Sequence, residues 1–250
     1  MQLAHLTPLE ILLITIGATG IGFSKSGFAG VGMIHVIIFA FVFGARESTG
    51  ILLPLLIVGD IFAVRLFGAE VQWKYVRRLL GPTLAGIIVG WQLMAHLDER
   101  HFKPLVGLII LSLTIMQMAR LWRPQLFEHV PHARWFAMSL GFFAGITTML
   151  ANAAGPVIAL YLLSVALPKY QLIGTSAWFF FVVNVIKLPF SASLGWITVD
   201  TLLLNLAFAP AVGLGMLVGR WLVRRLPQRL FDSILLVCTA ALALRLIFWL

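Results

Sequence analysis

Apolar segments separated by short polar gaps follow one another along the chain. They cover residues 8–43, 48–67, 75–96, 103–120, 135–164, 171–192, 200–222 and 230–250. About 20 apolar residues are enough for a helix to cross a bilayer, and six of the eight segments have about that length. The first and the fifth are longer, and each is interrupted near its centre by small and helix-breaking residues. The pattern predicts an all-α membrane protein with eight hydrophobic segments, of which the first and the fifth are broken helices.

The first interruption contains a charged residue that an apolar segment would normally exclude. It reads GFSKSGFAG (22–30), with Lys25 near its centre, and the second interruption reads TTMLANAAGP (147–156). A charged side chain at the bilayer centre costs about 2.5 to 3.5 kcal/mol on insertion scales and usually faces a polar interior. We therefore interpret Lys25 as a functional residue, with a structural kink and a snorkelling lysine as the alternative.

Residues of the same or a related type recur at a spacing close to half the chain length. The pairs are Gly30 and Gly155 (spacing 125), Gly50 and Gly174, Asp60 and Asn184 (spacing 124), and Gly86, Gly90, Arg100 and Phe102 with Gly215, Gly219, Arg229 and Phe231 (spacing 129). Short insertions produce such a drift in an internal repeat. We expect one integral membrane domain made of two four-segment repeats, residues 1–123 and 124–250. At the spacing of 125, Lys25 corresponds to Leu150.

The distribution of Lys and Arg indicates how the two repeats are oriented, because cytoplasmic loops carry an excess of these residues. With eight straight crossings, the basic residues of the loops divide almost evenly between the two faces. If the first and fifth segments are hairpins that enter and leave on the same side, most basic residues fall on one face. This places the loops before Tyr75 and after Arg120 in the cytoplasm and both termini outside. The second repeat is then inverted, and inverted repeats with broken helices are typical of secondary transporters.

The two hairpins suggest a binding site. An arm of about 15 residues rises about 22 Å, so both tips can meet inside the membrane. Each second arm begins with unpaired N–H groups and the positive end of a helix dipole, which favour an anion. Ser26 is expected to cap one such arm and Asn152 the other, with Pro156 in the first turn. The predicted anion-binding residues are Ser24, Lys25, Ser26, Gly27, Gly30, Ala151, Asn152, Gly155, Asn184 and Lys187.

Asp60 and Asn184 occupy equivalent segments and are expected at matching depths from opposite faces. Two interpretations remain open. In the first, Asn184 and Lys187 line the pathway, while Asp60 pairs with a lysine and carries a proton. In the second, Asp60 and Lys187 form a structural ion pair, because buried charges need partners whatever their role. His35, in the second arm of the first hairpin, is interpreted as a packed histidine rather than a proton relay.

Other functional classes fit these residues less well. GFSKSG departs from the G-x-S-x-G elbow because the glycine after Ser24 is displaced to position 27. Glu128, His129 and His132 lack the HExxH motif or cysteine cluster of a metal site, so no enzyme, metal or cofactor is expected. The net charge of +9 is explained by basic residues at helix ends and implies no nucleic-acid partner. Cys238 is the single cysteine, which excludes an intramolecular disulfide.

Several of these elements together resemble the TauE/SafE sulfite exporter family over essentially the whole chain. They are GFSKSGFAG, ILLPLLIVGDIFA (51–63), HLDERHFK (96–103), ANAAGP (151–156) and FFFVVNVIKLP (179–189). The resemblance implies a transporter of the bacterial cytoplasmic (inner) membrane, with internally repeated halves, associated with sulfite, sulfonates and related sulfur-containing anions. It also implies that the site includes Ser24, Lys25, Asn152, Asn184 and Lys187. Asn152 stands where many relatives have a histidine.

We therefore expect a secondary transporter that exports sulfite or organosulfonates by alternating access at a site near the bilayer midplane. An interior-negative membrane favours export of each negative charge by about 2.3 kcal/mol per 100 mV. The alternatives are an anion channel on the same fold and a membrane scaffold or assembly protein. The expected partners are a small sulfur-containing anion and the lipid bilayer, and a homo-oligomer is left open.

Overall fold

The structure, a computed structural model, describes residues 6–26, 31–127, 133–165, 167–222 and 228–248. Within these ranges the chain is all helical, with ten α-helices, three short 3₁₀ turns and no strand. The helices are α1 (Pro8–Lys25), α2 (Ile34–Phe43), α3 (Ala45–Phe67), α4 (Trp73–His96), α5 (Glu99–Trp122), α6 (Arg134–Ala151), α7 (Gly155–Ser164), α8 (Lys169–Ser193), α9 (Val199–Leu222) and α10 (Gln228–Phe248).

Most of the described helices have the length and apolar composition of membrane spans. Six of them qualify, namely α1, α3, α4, α5, α8 and α9. The chain is therefore a multi-pass membrane protein. The helices α2 and α7 have only 10 residues each, which rise about 15 Å, or about half the hydrocarbon thickness of a bilayer. These two helices are too short to cross the membrane alone.

Both long hydrophobic segments are broken where the sequence predicts. The first divides into α1 and α2, and the fifth into α6 and α7, and the two helices of each pair pack on each other. In the first pair the helices run antiparallel, because a Cβ atom added to Gly20 would lie 3.8 Å from the Cβ atom of His35 and one added to Gly17 would lie 2.7 Å from Phe39 Cε2. The chain therefore turns back on itself within residues 8–43.

The two predicted helix caps at these breaks are wrong. Ser26 ends α1 instead of starting the second arm, and its hydroxyl donates a 2.7 Å hydrogen bond to the carbonyl oxygen of Phe23. The residue that precedes α2 is Met33. Because Ser26 directly follows α1, its hydroxyl is within hydrogen-bond distance of a carbonyl oxygen in the last turn of that helix. The hydroxyl forms this local bond instead of capping the start of the next helix.

Asn152 also ends a helix instead of starting one. It follows α6 in the left-handed conformation (φ 49°, ψ 29°), which asparagine tolerates better than most residues. Its backbone N–H donates to the carbonyl oxygen of Thr148 at 3.0 Å. The next helix, α7, begins at Gly155 with Pro156 in its first turn, as predicted.

The helices of the two halves pack in a reciprocal pattern. Helix α1 packs on α9, and α6 packs on α4, so that in each pair the first helix of one half meets the second-last helix of the other half. In addition, α3 packs on α8 and α5 packs on α10. Glycines permit the first two crossings, since an added Cβ atom would overlap a carbonyl oxygen of the facing helix. The close approaches are Gly22 to Val212, Gly215 to Thr19, Gly145 to Thr83, and Gly86 to Phe142. The residues of one crossing match those of the other at spacings of 123 for α1 and α6 and 129 for α4 and α9.

Candidate functional site

A cavity of about 170 Å³ lies where the two helix breaks approach α3 and α8. A water molecule occupies about 30 Å³ of liquid, so this volume suits a small ligand with few waters. The two breaks supply polar groups to its wall, among them Ser24 and Lys25 from α1 and Asn152 from the end of α6. Asn184 of α8 also lines it, whereas most of the remaining wall is apolar. A mainly apolar pocket with a few convergent polar groups is the usual form of a small-molecule site.

Lys25 forms an ion pair at the edge of this cavity. Its Nζ atom lies 2.5 Å from the Oδ1 atom of Asp60 and 4.7 Å from the ring centroid of Phe180. The Lys25 side chain is 15% exposed, whereas the Asp60 side chain is fully buried. An ammonium group has three donors, and the bond to Asp60 uses one of them. Lys25 therefore keeps donor capacity at a cavity that it lines.

Asp60 is held from two helices at once. Its Oδ1 atom accepts from Lys25 of α1, and its Oδ2 atom accepts a 2.7 Å hydrogen bond from the Asn184 amide of α8. The structure thus joins Asp60 to Lys25 and leaves Lys187 with other partners. This fully buried carboxylate therefore connects α3 to both α1 and α8.

Lys187 is almost completely buried, with 1% of its surface exposed, and its contacts are to neutral groups. Its Nζ atom donates to the backbone oxygen of Thr148 at 2.7 Å, to the hydroxyl of Thr148 at 3.2 Å, and to the Oδ1 atom of Asn152. Asn152 in turn donates to the backbone oxygen of Thr49 at 2.9 Å. Lys187 therefore stabilises the end of α6, and Asn152 links that end to both α8 and α3.

These side chains give the cavity a surplus of positive charge. With all three groups ionised, Lys25 and Asp60 neutralise each other and Lys187 contributes one positive charge for which these bonds provide no carboxylate. Isolated charge is costly in a membrane interior, so a negatively charged ligand beside this site gains a favourable partner.

The amino ends of the two short helices face the same cavity. His35 lines it from the first turn of α2, with Gly32 and Met33 in the 3₁₀ turn just before it. Gly155 and Pro156 line it from the start of α7. The first N–H groups of a helix lack partners within the helix and form the positive end of its dipole, an arrangement that attracts anions. Both short helices therefore add to the positive character of the pocket.

The predicted site residues do not all lie at the cavity. Ser24, Lys25, Asn152, Gly155 and Asn184 line it, and Lys187 lies directly behind Asn152 and Thr148. Ala151 is buried in the apolar core, and Ser26 is buried beside Gly219 of α9. The following predicted or considered residues lie outside the described ranges: Gly27, Gly30, Glu128, His129 and His132.

Sequence reasoning missed four cavity residues that have a polar or aromatic side chain. Thr148, Ser176 and Phe180 line the cavity, and so does His35, which was interpreted only as a packed residue. Helical periodicity indicates two of them, because positions 176, 180 and 184 are four apart and share one face of α8. Among the residues that the structure describes, no group of three His, Cys, Asp or Glu side chains could hold a metal ion.

Comparison with known proteins gives one match. The family model described as "Sulfite exporter TauE/SafE" matches residues 13–246, which is nearly the whole chain. No curated protein and no solved structure matches the chain significantly.

Proposed function

The chain belongs to the sulfite exporter TauE/SafE family, and from this membership together with the central cavity we propose that it is a secondary transporter that exports sulfite or an organosulfonate. The observation that carries the proposal is the buried amino group of Lys187, which is bonded to the neutral groups of Thr148 and Asn152 at the wall of a small cavity between two broken helices. A small oxyanion fits the volume of this cavity, and its negative charge would balance the charge of Lys187.

Binding of the anion uses donors at the cavity surface. The remaining donors of Lys25 and the amino end of α7 at Gly155 bind the oxygens of the ligand, while Lys187 acts through Asn152 and Thr148. The hydroxyl of Ser24, which donates to the carbonyl oxygen of Ile21 at 3.0 Å, turns to the ligand when the anion binds. Asn184 holds Asp60 in place. The apolar part of the wall accepts the carbon chain of a short sulfonate. Hydrogen bonds to charged groups are worth more than those between neutral groups, so the anion competes well for these donors.

Asp60 is the coupling residue in this proposal. Without substrate it is the counter-ion of Lys25, at a separation of 2.5 Å. An arriving anion competes with Asp60 for the same ammonium group. A proton on Asp60 removes that competition and leaves Lys25 free to bind the anion, so that proton binding and anion binding assist each other.

Transport proceeds by alternating access between two inverted repeats, residues 1–123 and 124–250, in the bacterial cytoplasmic membrane with both termini outside. Support comes from the reciprocal packing of α1 on α9 and α6 on α4, whose glycine crossings match residue by residue. Further support comes from the short helices α2 and α7, because broken helices at the interface of repeats are where transporters of this architecture bind substrate. An interior-negative potential favours outward movement of an anion by about 2.3 kcal/mol per charge and 100 mV.

The test is efflux of sulfite from liposomes that contain the purified protein. We expect saturable efflux from the native protein, loss of efflux for Lys187→Met, and native behaviour for Lys74→Met, which removes an exposed lysine of α4. Discrete single-channel currents in planar bilayers would identify an anion channel instead. If neither sulfite nor an organosulfonate is transported or raises the melting temperature, the membrane scaffold interpretation is favoured, because a ligand of the native state must stabilise it.

A further inference from the structure

His35 occupies an unusual position for a histidine that only fills space. It is the second residue of α2, is 2% exposed, and lines the central cavity together with Gly32 and Met33 of the preceding 3₁₀ turn. On its other side it faces α1, where an added Cβ atom on Gly20 would lie 3.8 Å from the Cβ atom of His35. The imidazole is therefore fixed between α1 and the cavity.

The Nδ1 atom of His35 is buried and has no hydrogen-bond partner among the described residues. Leaving a buried polar group without a partner costs about 1 to 3 kcal/mol, so an apolar side chain would be the more stable choice for packing alone. The surroundings also select the kind of partner. Lys25 lines the same cavity, and the amino end of α2 carries the positive end of its dipole, so a negatively charged acceptor is favoured there.

We propose that His35 is a further substrate-binding residue, whose imidazole N–H donates a hydrogen bond to an oxygen of the bound oxyanion. The inference rests on the proposed function and deepens it, since it adds a neutral donor from α2 to the charged donor of Lys25. The substrate class remains a small oxyanion of sulfur. Binding of the anion gives the ring the hydrogen bond that it lacks without substrate.

The first test compares two replacements of His35 in the full-length protein in detergent. His35→Leu removes the donor at similar volume, and His35→Gln keeps an N–H donor. We expect the dissociation constant for sulfite, measured by isothermal titration calorimetry, to rise about tenfold for His35→Leu and to stay within about threefold of the native value for His35→Gln. The matched control is Thr83→Val on α4, which deletes another buried polar group that has no hydrogen-bond partner among the described residues and does not line the cavity. It should leave the dissociation constant unchanged.

A second measurement does not depend on the folding of the leucine variant. In native protein labelled with ¹⁵N-histidine, one imidazole resonance that is absent from the His35→Gln spectrum should shift on saturation with sulfite. The resonance of His101, which is exposed and bonded to Asp98, should stay in place.

The outcomes separate this inference from the function on which it rests. If the native protein binds sulfite, Lys187→Met does not, and His35→Leu binds as tightly as the native protein with no histidine shift, the His35 assignment alone is overturned. If the stable native protein binds neither sulfite nor a sulfonate, the proposed function fails and this inference fails with it.

Discussion

Asp60 and Asn184, which the sequence pairs at a spacing of 124, bond directly to each other, with the Asn184 amide donating to Asp60 Oδ2 over 2.7 Å. Two equivalent residues that touch lie beside the axis that would relate the repeats. The charge around them is not symmetric, because Lys25 approaches the other oxygen of Asp60 from α1. At the spacing of 123 that describes the α1 and α6 crossings, the counterpart of Lys25 is Thr148, which accepts from Lys187 instead. The proposed repeats thus match in their helix crossings and differ in their charges.

Removal of Asp60 should destabilise the protein through Lys25. Asp60→Asn leaves a largely buried ammonium group without its counter-ion, and breaking a buried pair costs about 3 to 5 kcal/mol, whereas replacement of both partners by uncharged groups is often close to neutral. We expect the melting temperature in detergent to fall for Asp60→Asn and to return most of the way in Asp60→Asn/Lys25→Met. Asp60→Asn/Lys74→Met, with the exposed lysine removed instead, should stay destabilised. A rescue by both second changes would contradict a specific pair.

A carboxylate placed beside Lys187 should abolish anion binding without removing the lysine. Asn152→Asp keeps the shape of the side chain and its tolerance of the left-handed conformation, but it gives Lys187 an internal counter-ion and removes the surplus charge. It also loses the hydrogen bond that the Asn152 amide donates to the carbonyl oxygen of Thr49. We expect the affinity for sulfite to fall at least about tenfold, which corresponds to about 1.4 kcal/mol. Asn152→Gly is the control, because it loses the same bond to Thr49 and tolerates the left-handed conformation but leaves the charge of Lys187 without a counter-ion, so its affinity should fall less. Native affinity in Asn152→Asp would argue against Lys187 as the source of attraction.

The glycine crossings predict a pair of equivalent packing defects. A methyl group on Gly145 would overlap the Thr83 carbonyl oxygen of α4, and one on Gly22 would overlap the Val212 carbonyl oxygen of α9. Overpacking of this kind costs about 1 to 3 kcal/mol. We expect Gly145→Ala and Gly22→Ala to lower the melting temperature by similar amounts.

Gly213 of α9 supplies the matched control for these two changes. An added Cβ atom on Gly213 would approach Phe62 no closer than 3.7 Å, which is an ordinary van der Waals contact, so Gly213→Ala should be neutral or slightly stabilising because alanine favours a helix. A loss of stability at Gly213 equal to that at Gly145 would show that the effect does not come from the crossings.

Helix positions could be predicted from the sequence because the signals are local. The predicted segments 48–67 and 75–96 agree with α3 and α4 to within three residues at each end. Both helix breaks could be predicted as well, since glycine, proline and a charged residue interrupt long apolar runs there. The residue at which the second helix of the first hairpin begins could not be predicted in the same way. Ser26 was assigned to it, but the helix continues to Lys25 and binds the Ser26 hydroxyl locally.

The partners of the two lysines could not be predicted, because they depend on how distant helices pack. Lys25 meets Asp60 only because α1 lies against α3, and Lys187 meets Asn152 only because α8 reaches the end of α6. The sequence left open whether Asp60 or other groups bind Lys187. Pairing of Lys25 with Asp60 was one of the open possibilities, and it leaves the surplus charge to Lys187 when all three groups are ionised.

Ser176 and Ser26 should differ in their access to the cavity. Ser176 lines it, whereas Ser26 is 5% exposed and is buried beside α9. In a Cys238→Ala background, Ser176→Cys should react with a water-soluble maleimide and Ser26→Cys should not. An organosulfonate such as isethionate should slow the labelling of Ser176→Cys at least about threefold by occupying the site; sulfite is unsuitable because it consumes the reagent. Equal labelling of both cysteines, or labelling of Ser176→Cys that isethionate leaves unchanged, would contradict a substrate site in this cavity.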